Sequence, residues 1–435
     1  MNALSRLRDY LSGRRRWTIV GLLFLTATVN GLDRQTLSVL APTLQTEFGF
    51  GAVEYSYVAT SFLVAYMIGY TFSGTVLDRI GVKLGLGIAL AFWSFAGLLH
   101  AAAGGWIMLA FCRFLLGLGE SFNSPAGVKA IAEWIPPRER GLSMAVFSNG
   151  NVIGAILTPP LVSFLTIKFG WQWAFIVTGL IGFVLLIFWR KNYFSPDKHP
   201  RLTPEERTYI QENRPTTTLK PGPKPAMWTL LAQPICLGFF FTRFLTDPIV
   251  YFFSFWLPDY LVHSRGFTLA LLGLIGWLPF LASDVGGPGG GALSDYLVRR
   301  GWTPIKARRT LMLTAACLMP LANVAVRTDV VWIAVALIAL LLAAQSCWMA
   351  NQLTLISESI SRESVGSLLA LSALGGSIGG ICSTLLTGRV IAAYGYVPVF
   401  TGLSVLHLTA FGVLTYAQHK SGLLKPKPAA ANPAQ

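Results

Sequence analysis

The chain has 435 residues, 53% of them hydrophobic and only 12% charged, with a formal charge of +15. A soluble domain carries about twice that charged fraction, which excludes the three soluble domains that length alone suggests. The basic excess does not make a nucleic-acid surface, because the lysines and arginines stand at the ends of apolar stretches without interleaved aromatics, where they set membrane topology.

Apolar stretches of about 20 residues recur from end to end. Hydrocarbon cannot satisfy open backbone groups, so each is read as a membrane-crossing helix. The expected spans are 17–40, 54–76, 84–104, 106–128, 141–165, 171–190, 231–260, 268–293, 309–327, 330–357, 364–388 and 394–417. The fold class expected is an all-α membrane protein of 12 transmembrane helices in two pseudo-symmetric six-helix bundles. The first run, from Trp17, has no small-residue cleavage site before Asp33 and reads as a retained span.

Arg14, Arg15 and Arg16 precede span 1, and basic residues recur at Arg79–Lys83, Lys129–Arg140, Arg299–Arg309, around Arg362 and at Lys420, Lys425 and Lys427. The connections on the other face hold few. The basic side is cytoplasmic by the positive-inside rule, which places both termini there and the protein in the inner membrane.

The longest polar stretch, 191–230, carries Pro196, Pro200, Pro204, Pro215, Pro221, Pro223 and Pro225. The organisation expected is an N-terminal bundle over 1–190, a cytoplasmic linker over 191–230, a C-terminal bundle over 231–418 and a disordered cytoplasmic tail over 419–435. Within the linker, Thr203 and Pro204 open a short helix as cap and first residue.

The halves repeat a motif. Gly74-x-x-x-Asp78-Arg79 ends the second span, and Gly291-x-x-x-Asp295, followed by Arg299 and Arg300, ends the second span of the other half. The glycines are expected to let helices approach closely. The aspartates are expected to meet a helix N-terminus or a basic partner across a cytoplasmic gate.

A charge at mid-bilayer costs about 2.5–3.5 kcal/mol on insertion scales, so it faces the protein interior. Span 1 holds Asn30, Asp33 and Arg34, and span 4 holds Arg113 and Glu120. Arg113 and Glu120, seven residues apart, share a helix face at about 100° per residue, whereas Asp33 and Arg34 point about 100° apart. Ion pairs that only hold spans together are one reading. The favoured one is function, because interior ion pairs seldom repay their desolvation. An arginine offers a planar fork to a carboxylate, and a buried carboxylate can take a proton.

The second half adds Arg243, Asp247, Asp259 and Asp284. Asp284 lies in a glycine-rich, broken stretch that makes room for a ligand. Asp259 reads as an interface residue. Arg243 reads equally as a functional group or as a side chain snorkelling to the surface. Tyr66, Asn149, Asn151, Ser372 and Ser377 are polar groups in apolar surroundings that could complete a site for a sugar acid. Tyr251 and its aromatic neighbours could stack on a ligand, although helix packing explains any one of them as well.

The five cysteines, Cys112, Cys236, Cys317, Cys347 and Cys382, and the five histidines show no metal spacing, and no disulfide framework is expected. No HExxH pattern, Ser/His/Asp grouping or Walker-type loop is present, which leaves a membrane-embedded enzyme as a remote alternative without a catalytic residue to assign. No metal or cofactor is expected.

The two halves with repeated Gly-x-x-x-Asp loops resemble the major facilitator superfamily. NGLDRQTLSVLAP, RFLLGLGESFNSPAGVKAIAEWIPPRER and NGNVIGAILTPP resemble its anion:cation symporter family over nearly the whole chain. FLTDPIVYFFSFWLPDYL and VGSLLALSALGGSIGG are most similar to the hexuronate transporter branch. The resemblance implies proton-driven uptake of a small organic anion by a carrier in the bilayer, without nucleic acid and as a monomer. It makes Arg34 and Arg113 the anion and coupling arginines, Asp33 and Glu120 the protonatable pair, and Tyr66 a substrate-side hydroxyl. The chain departs from that branch at Val250, Tyr251 and Asp259 and in the LSAL stretch of span 11. Two substrate classes therefore stay open: a hexuronate or related sugar acid, and an aromatic or dicarboxylic acid of the phthalate type.

Overall fold

Every regular element among the described residues is a helix, as a chain immersed in hydrocarbon requires. The computed structural model describes residues 15–213, 229, 232–360 and 362–422. Arg14, the linker prolines from Pro215 to Pro225, and the tail with Lys425 and Lys427 lie outside the described residues. In chain order the α-helices are α1 Arg15–Phe48, α2 Ala52–Leu99, α3 Trp106–Glu120, α4 Asn123–Trp134, α5 Arg140–Phe169, α6 Trp171–Asn192 and α7 Pro204–Glu212. They continue as α8 Pro234–Arg265, α9 Leu269–Ile275, α10 Leu278–Arg299, α11 Pro304–Leu318, α12 Ala322–Arg327, α13 Val331–Ser359, α14 Arg362–Tyr394 and α15 Tyr396–Lys420.

Nine helical stretches among the described residues are long and apolar enough to cross a membrane. The first of them, Ala52–Ala102, contains two crossings, because its 51 residues bend at Gly81, whose φ of 79° is open to glycine. Two further crossings fall outside that count for physical reasons. Helix α1 carries Asn30, Asp33 and Arg34 in its middle, and the fourth expected span is broken into α3 and α4 around Ser121 and Phe122. Twelve crossings fit this arrangement.

The chain forms two compact units. Among the described residues, unit 1 comprises 15–213 with 252–281 and 384–394, and unit 2 comprises 229, 232–251, 282–360, 362–383 and 395–422. In unit 1 glycines bring backbones together. A methyl group on Gly31 would strike the backbone of Asn151, one on Gly150 the carbonyl of Phe24, and one on Gly154 the carbonyl of Thr28. This seats α5 directly on α1 and so fixes the height of Asp33 and Arg34. Within the same unit Tyr55 Oη donates to the Phe255 carbonyl at 2.8 Å and its ring meets Trp256 edge-on at 4.9 Å.

The stretch that follows α6 is tied to the rest of unit 1. Thr203 caps α7 as expected, accepting from the Glu206 amide at 3.3 Å. Glu206 then accepts from the Arg15 and Arg16 amides at 2.9 and 3.1 Å, placing a carboxylate on the free N–H groups that open α1. Arg16 also pairs with Glu139 at 2.9 Å.

In unit 2, the Gly375-Gly376 and Gly379-Gly380 pairs of α14 lie flat on α8. A methyl group there would meet the Phe240 carbonyl, the Asp247 carboxylate, the Phe244 carbonyl and the Tyr251 ring in turn. Side chains of α8 therefore rest against bare backbone, an arrangement found where helices pack closely in membranes.

Candidate functional site

The charged residues of spans 1 and 4 converge inside unit 1. Asn30, Asp33, Arg113 and Glu120 are all buried. Arg34 directs its fork at Glu120, with Nη2 and Nε at 3.3 and 3.4 Å from Oε2, and its Nη2 also donates to Asn30 Oδ1 at 3.4 Å. Arg113 Nη2 donates to the backbone carbonyl of Arg34 at 2.9 Å. The shared face of Arg113 and Glu120 thus meets at Arg34: one residue holds its backbone and the other holds its side chain.

Several polar atoms here have no hydrogen-bond partner. They are Arg113 Nε and Nη1, Glu120 Oε1, both Asp33 carboxylate oxygens and Asn30 Nδ2. Buried polar atoms without partners are costly, and in a native protein each calls for an explanation such as a ligand or a transferable proton. Asp33 points away from Arg34, as the 100° offset requires, and has Thr178 of α6 as a polar neighbour.

An aromatic ladder flanks the guanidinium groups. Phe62, Tyr66 and Tyr70, one helical turn apart on α2, stack in sequence at 5.8 and 6.1 Å. The Arg34 guanidinium lies 5.1 Å from the Phe62 ring and 5.0 Å from Tyr66, and that of Arg113 lies 5.5 Å from Phe62. These contacts hold two cations near each other without neutralising them. The Arg34 side chain is 31% exposed, whereas Arg113 is 1% exposed. Arg34 is thus the more accessible of the two guanidinium groups.

The other expected site residues are dispersed. Asn149 of α5 is exposed, and Asn151 is half-buried with its backbone carbonyl against Gly31. In unit 2, the Tyr251 ring rests on Gly380 and Asp284 is half-buried in α10. The hydroxyls of Ser372 and Ser377 donate to carbonyls of their own helix, Leu369 at 2.9 Å and Ala373 at 3.1 Å. Arg243 does not snorkel away. It folds back on Asp247 with contacts of 3.2, 3.1 and 2.6 Å, and Asp247 sits against Gly376. Asp259 is buried and meets His263 at 3.0 Å.

At the repeated motifs, Asp78 pairs with Lys129 at 2.6 Å. Asp295 pairs with Arg308 at 2.7 Å, and Arg308 also reaches Glu358 at 3.5 Å. The glycines depart from expectation. A methyl group on Gly74 or Gly291 would meet nothing within 4 Å among the described residues, so neither is there for close packing. Both sit near a span end with open space beside them. Close approach falls instead at Gly69 and Gly117, against Leu118 and Phe62 backbone.

Two members of the cluster were missed by sequence reasoning: Phe62 and Thr178. Phe62 had a signal, being four residues before Tyr66 on the same face. Thr178 is an ordinary residue whose role depends on which helices touch.

An all-helical fold of repeated membrane-crossing spans, with an interior charge cluster and duplicated basic loops, is that of a membrane carrier. Residues 23–384 match the model of the Major Facilitator Superfamily, and the chain belongs to that superfamily of transporters. It is a multi-pass membrane transporter and not an enzyme. The chain is 31% identical to the probable galactarate/D-glucarate transporter of Bacillus subtilis strain 168, over 87% of this chain and 86% of that protein. It is 29% identical to the hexuronate transporter of Escherichia coli strain K12, over 94% and 95% of the two chains. These relatives agree with the resemblance to the hexuronate branch. A crystal structure of a bacterial homolog of the human lysosomal transporter Spinster, inward-facing and unoccupied, superimposes with a TM-score of 0.73 at 17% identity. It covers 94% of this chain and 97% of that one, a likeness of fold.

Proposed function

We propose that this transporter is a proton-coupled symporter of a small organic anion, a hexuronate or related sugar acid, in the bacterial inner membrane. Both termini are cytoplasmic, and the working form is a monomer whose bundles, 1–190 and 231–418, are joined by the 191–230 linker. The observation that carries the reading is the Arg34–Glu120 pair braced by Arg113. It presents a partly exposed guanidinium to a carboxylate while its own counter-ion can be neutralised by a proton. The relatives' sugar-acid substrates support the substrate class.

Arg34 takes the substrate carboxylate, Arg113 fixes Arg34, and Tyr66 and Asn30 offer neutral hydrogen-bonding groups beside it. Asn149, Asn151, Tyr251, Asp284, Ser372 and Ser377 remain candidate contacts for the rest of the ligand. Glu120 and Asp33 carry the proton. Asp78, Arg79 and Asp295, with Gly74 and Gly291, serve the cytoplasmic gate. The stacked Phe62–Tyr66–Tyr70 ladder favours one second reading, a flat aromatic acid of the phthalate type.

Reconstituted vesicles decide. With an inside-alkaline gradient, a hexuronate, an aldarate or an aldonate should accumulate unmodified, and a protonophore should abolish the accumulation. Uptake that follows a sodium gradient and ignores the proton gradient overturns the coupling. Accumulation of phthalate with no sugar acid transported overturns the substrate class.

A further inference from the structure

A second feature of unit 1 is separate from the charge cluster and shares no residue with it. Where α2 bends at Gly81 and α6 runs into the linker, the protein encloses a cavity of about 550 Å³. Its walls are of two kinds. Ile80, Leu84 and Ile88 make an apolar side, and they are 41%, 55% and 55% exposed on the surface of the span. The other side carries three cations, Lys83, Arg190 and Lys198, against one carboxylate, Glu133.

The cationic side is built into the fold. Lys83 Nζ lies 3.0 Å over the face of Phe194, so an aromatic ring holds the ammonium in place without cancelling its charge. The Lys83 carbonyl accepts from Trp189 Nε1 at 3.0 Å, and Trp189 stacks on Tyr193 at 4.2 Å. Tyr193 also lines the cavity. It is 1% exposed, and its hydroxyl, which makes no hydrogen bond of ordinary geometry, has the Glu133 carboxylate as its polar neighbour and can turn to a ligand oxygen instead.

A small free anion would need the cations but not the apolar side. An apolar ligand would need the reverse. The position decides between them: the cavity lies at the basic ends of the spans, which the positive-inside rule puts at headgroup level, and Leu84 and Ile88 are exposed on the span surface beside it. Basic pockets between transmembrane helices at that depth take anionic headgroups. The geometry points to a binding site for an anionic phospholipid of the leaflet at the basic ends of the spans. Its phosphate sits among Lys83, Arg190, Lys198 and Tyr193 Oη, and an acyl chain runs along Leu84 and Ile88. A zwitterionic lipid would add its own ammonium to three cations and is disfavoured. The bound lipid joins α2, α6 and the start of the linker.

The test uses the purified full chain in neutral detergent, with thermal unfolding and native mass spectrometry as readouts. Phosphatidylglycerol, phosphatidylcholine and inorganic phosphate are added separately. Phosphatidylglycerol should raise the melting temperature and remain bound, and the other two should do neither. The double variant Lys83→Gln/Lys198→Gln should lose about tenfold or more of the phosphatidylglycerol affinity. Glu133→Gln should strengthen binding, and Tyr193→Phe should weaken it. Equal effects of the two lipids, or undiminished affinity in the double variant, overturn the assignment. Phosphate that alone reproduces the stabilisation and displaces phosphatidylglycerol shows a free-anion site and also overturns it. Should the double variant fail to fold, unchanged affinity in both Glu133→Gln and Tyr193→Phe is the overturning result.

Discussion

Arg34 and Arg113 are alike in sequence and unlike in place. Arg34 is partly exposed and holds Glu120, while Arg113 is buried and holds the Arg34 backbone. Under the proposed coupling, a proton on Glu120 releases the Arg34 fork and a substrate carboxylate replaces Glu120 as its partner, so that anion and proton load together. Glu120→Gln mimics the protonated state, so counterflow of labelled substrate should persist while accumulation against a gradient is lost. Full accumulation by Glu120→Gln would rule out Glu120 as the coupling group. Asp33→Asn should also lose net uptake, through slow return of the empty carrier. Arg113→Lys keeps a charge but cannot both brace a carbonyl and fill the space beside Phe62. Its substrate affinity should fall about tenfold, and an affinity equal to the parent's would show that Arg113 is only a strut between spans.

At the scale of elements, the linker start is held by directed contacts rather than by apolar area. His199 packs edge-on against Trp134 at 5.4 Å and Phe194 at 5.7 Å, and its Nδ1 accepts from the Arg201 amide at 3.2 Å. Burial lowers its pKa below the usual histidine value. The contact is therefore fully stabilising above the unfolded value and is lost as pH falls through the lower, folded one. Protonation puts a hydrogen on the accepting nitrogen and removes the Arg201 bond. Amide exchange at 195–202 should accelerate on acidification below that range. His199→Phe, which keeps the aromatic contacts, should remove the pH dependence. Exchange in that variant still rising with acid would place the titrating group elsewhere.

At the scale of the molecule, each half has a second-span aspartate tied to a cation of its own unit: Asp78 with Lys129 and Asp295 with Arg308. Both aspartate side chains are largely exposed, at 75% and 58%, so these pairs contribute little stability. On the proposed gate reading, such weak pairs are easily broken and remade during the transport cycle. Asp78→Asn should slow turnover several-fold while leaving equilibrium substrate affinity close to the parent's. A large loss of affinity at a normal exchange rate would move Asp78 from the gate to the substrate path.

The sequence by itself determined the class of fold, the membrane environment and the residues that cannot lie in lipid. Each follows from a local cost: hydrocarbon excludes open backbone groups, and charge such as Asp33, Arg34, Arg113 and Glu120 must turn inward. The cap at Thr203 was legible for the same reason, being set by neighbours in the chain. Pairing was not legible. That Glu120 meets Arg34 and not Arg113, that Arg243 folds onto Asp247, and that Gly74 packs against nothing depend on which helices touch and at what height. So does the cavity at Gly81, which collects Lys83, Glu133, Arg190 and Lys198 from three parts of the chain. Helix period says which face a residue occupies. Only the packing of one helix on another, at close glycine contacts such as Gly31 on Asn151, decides what that face meets.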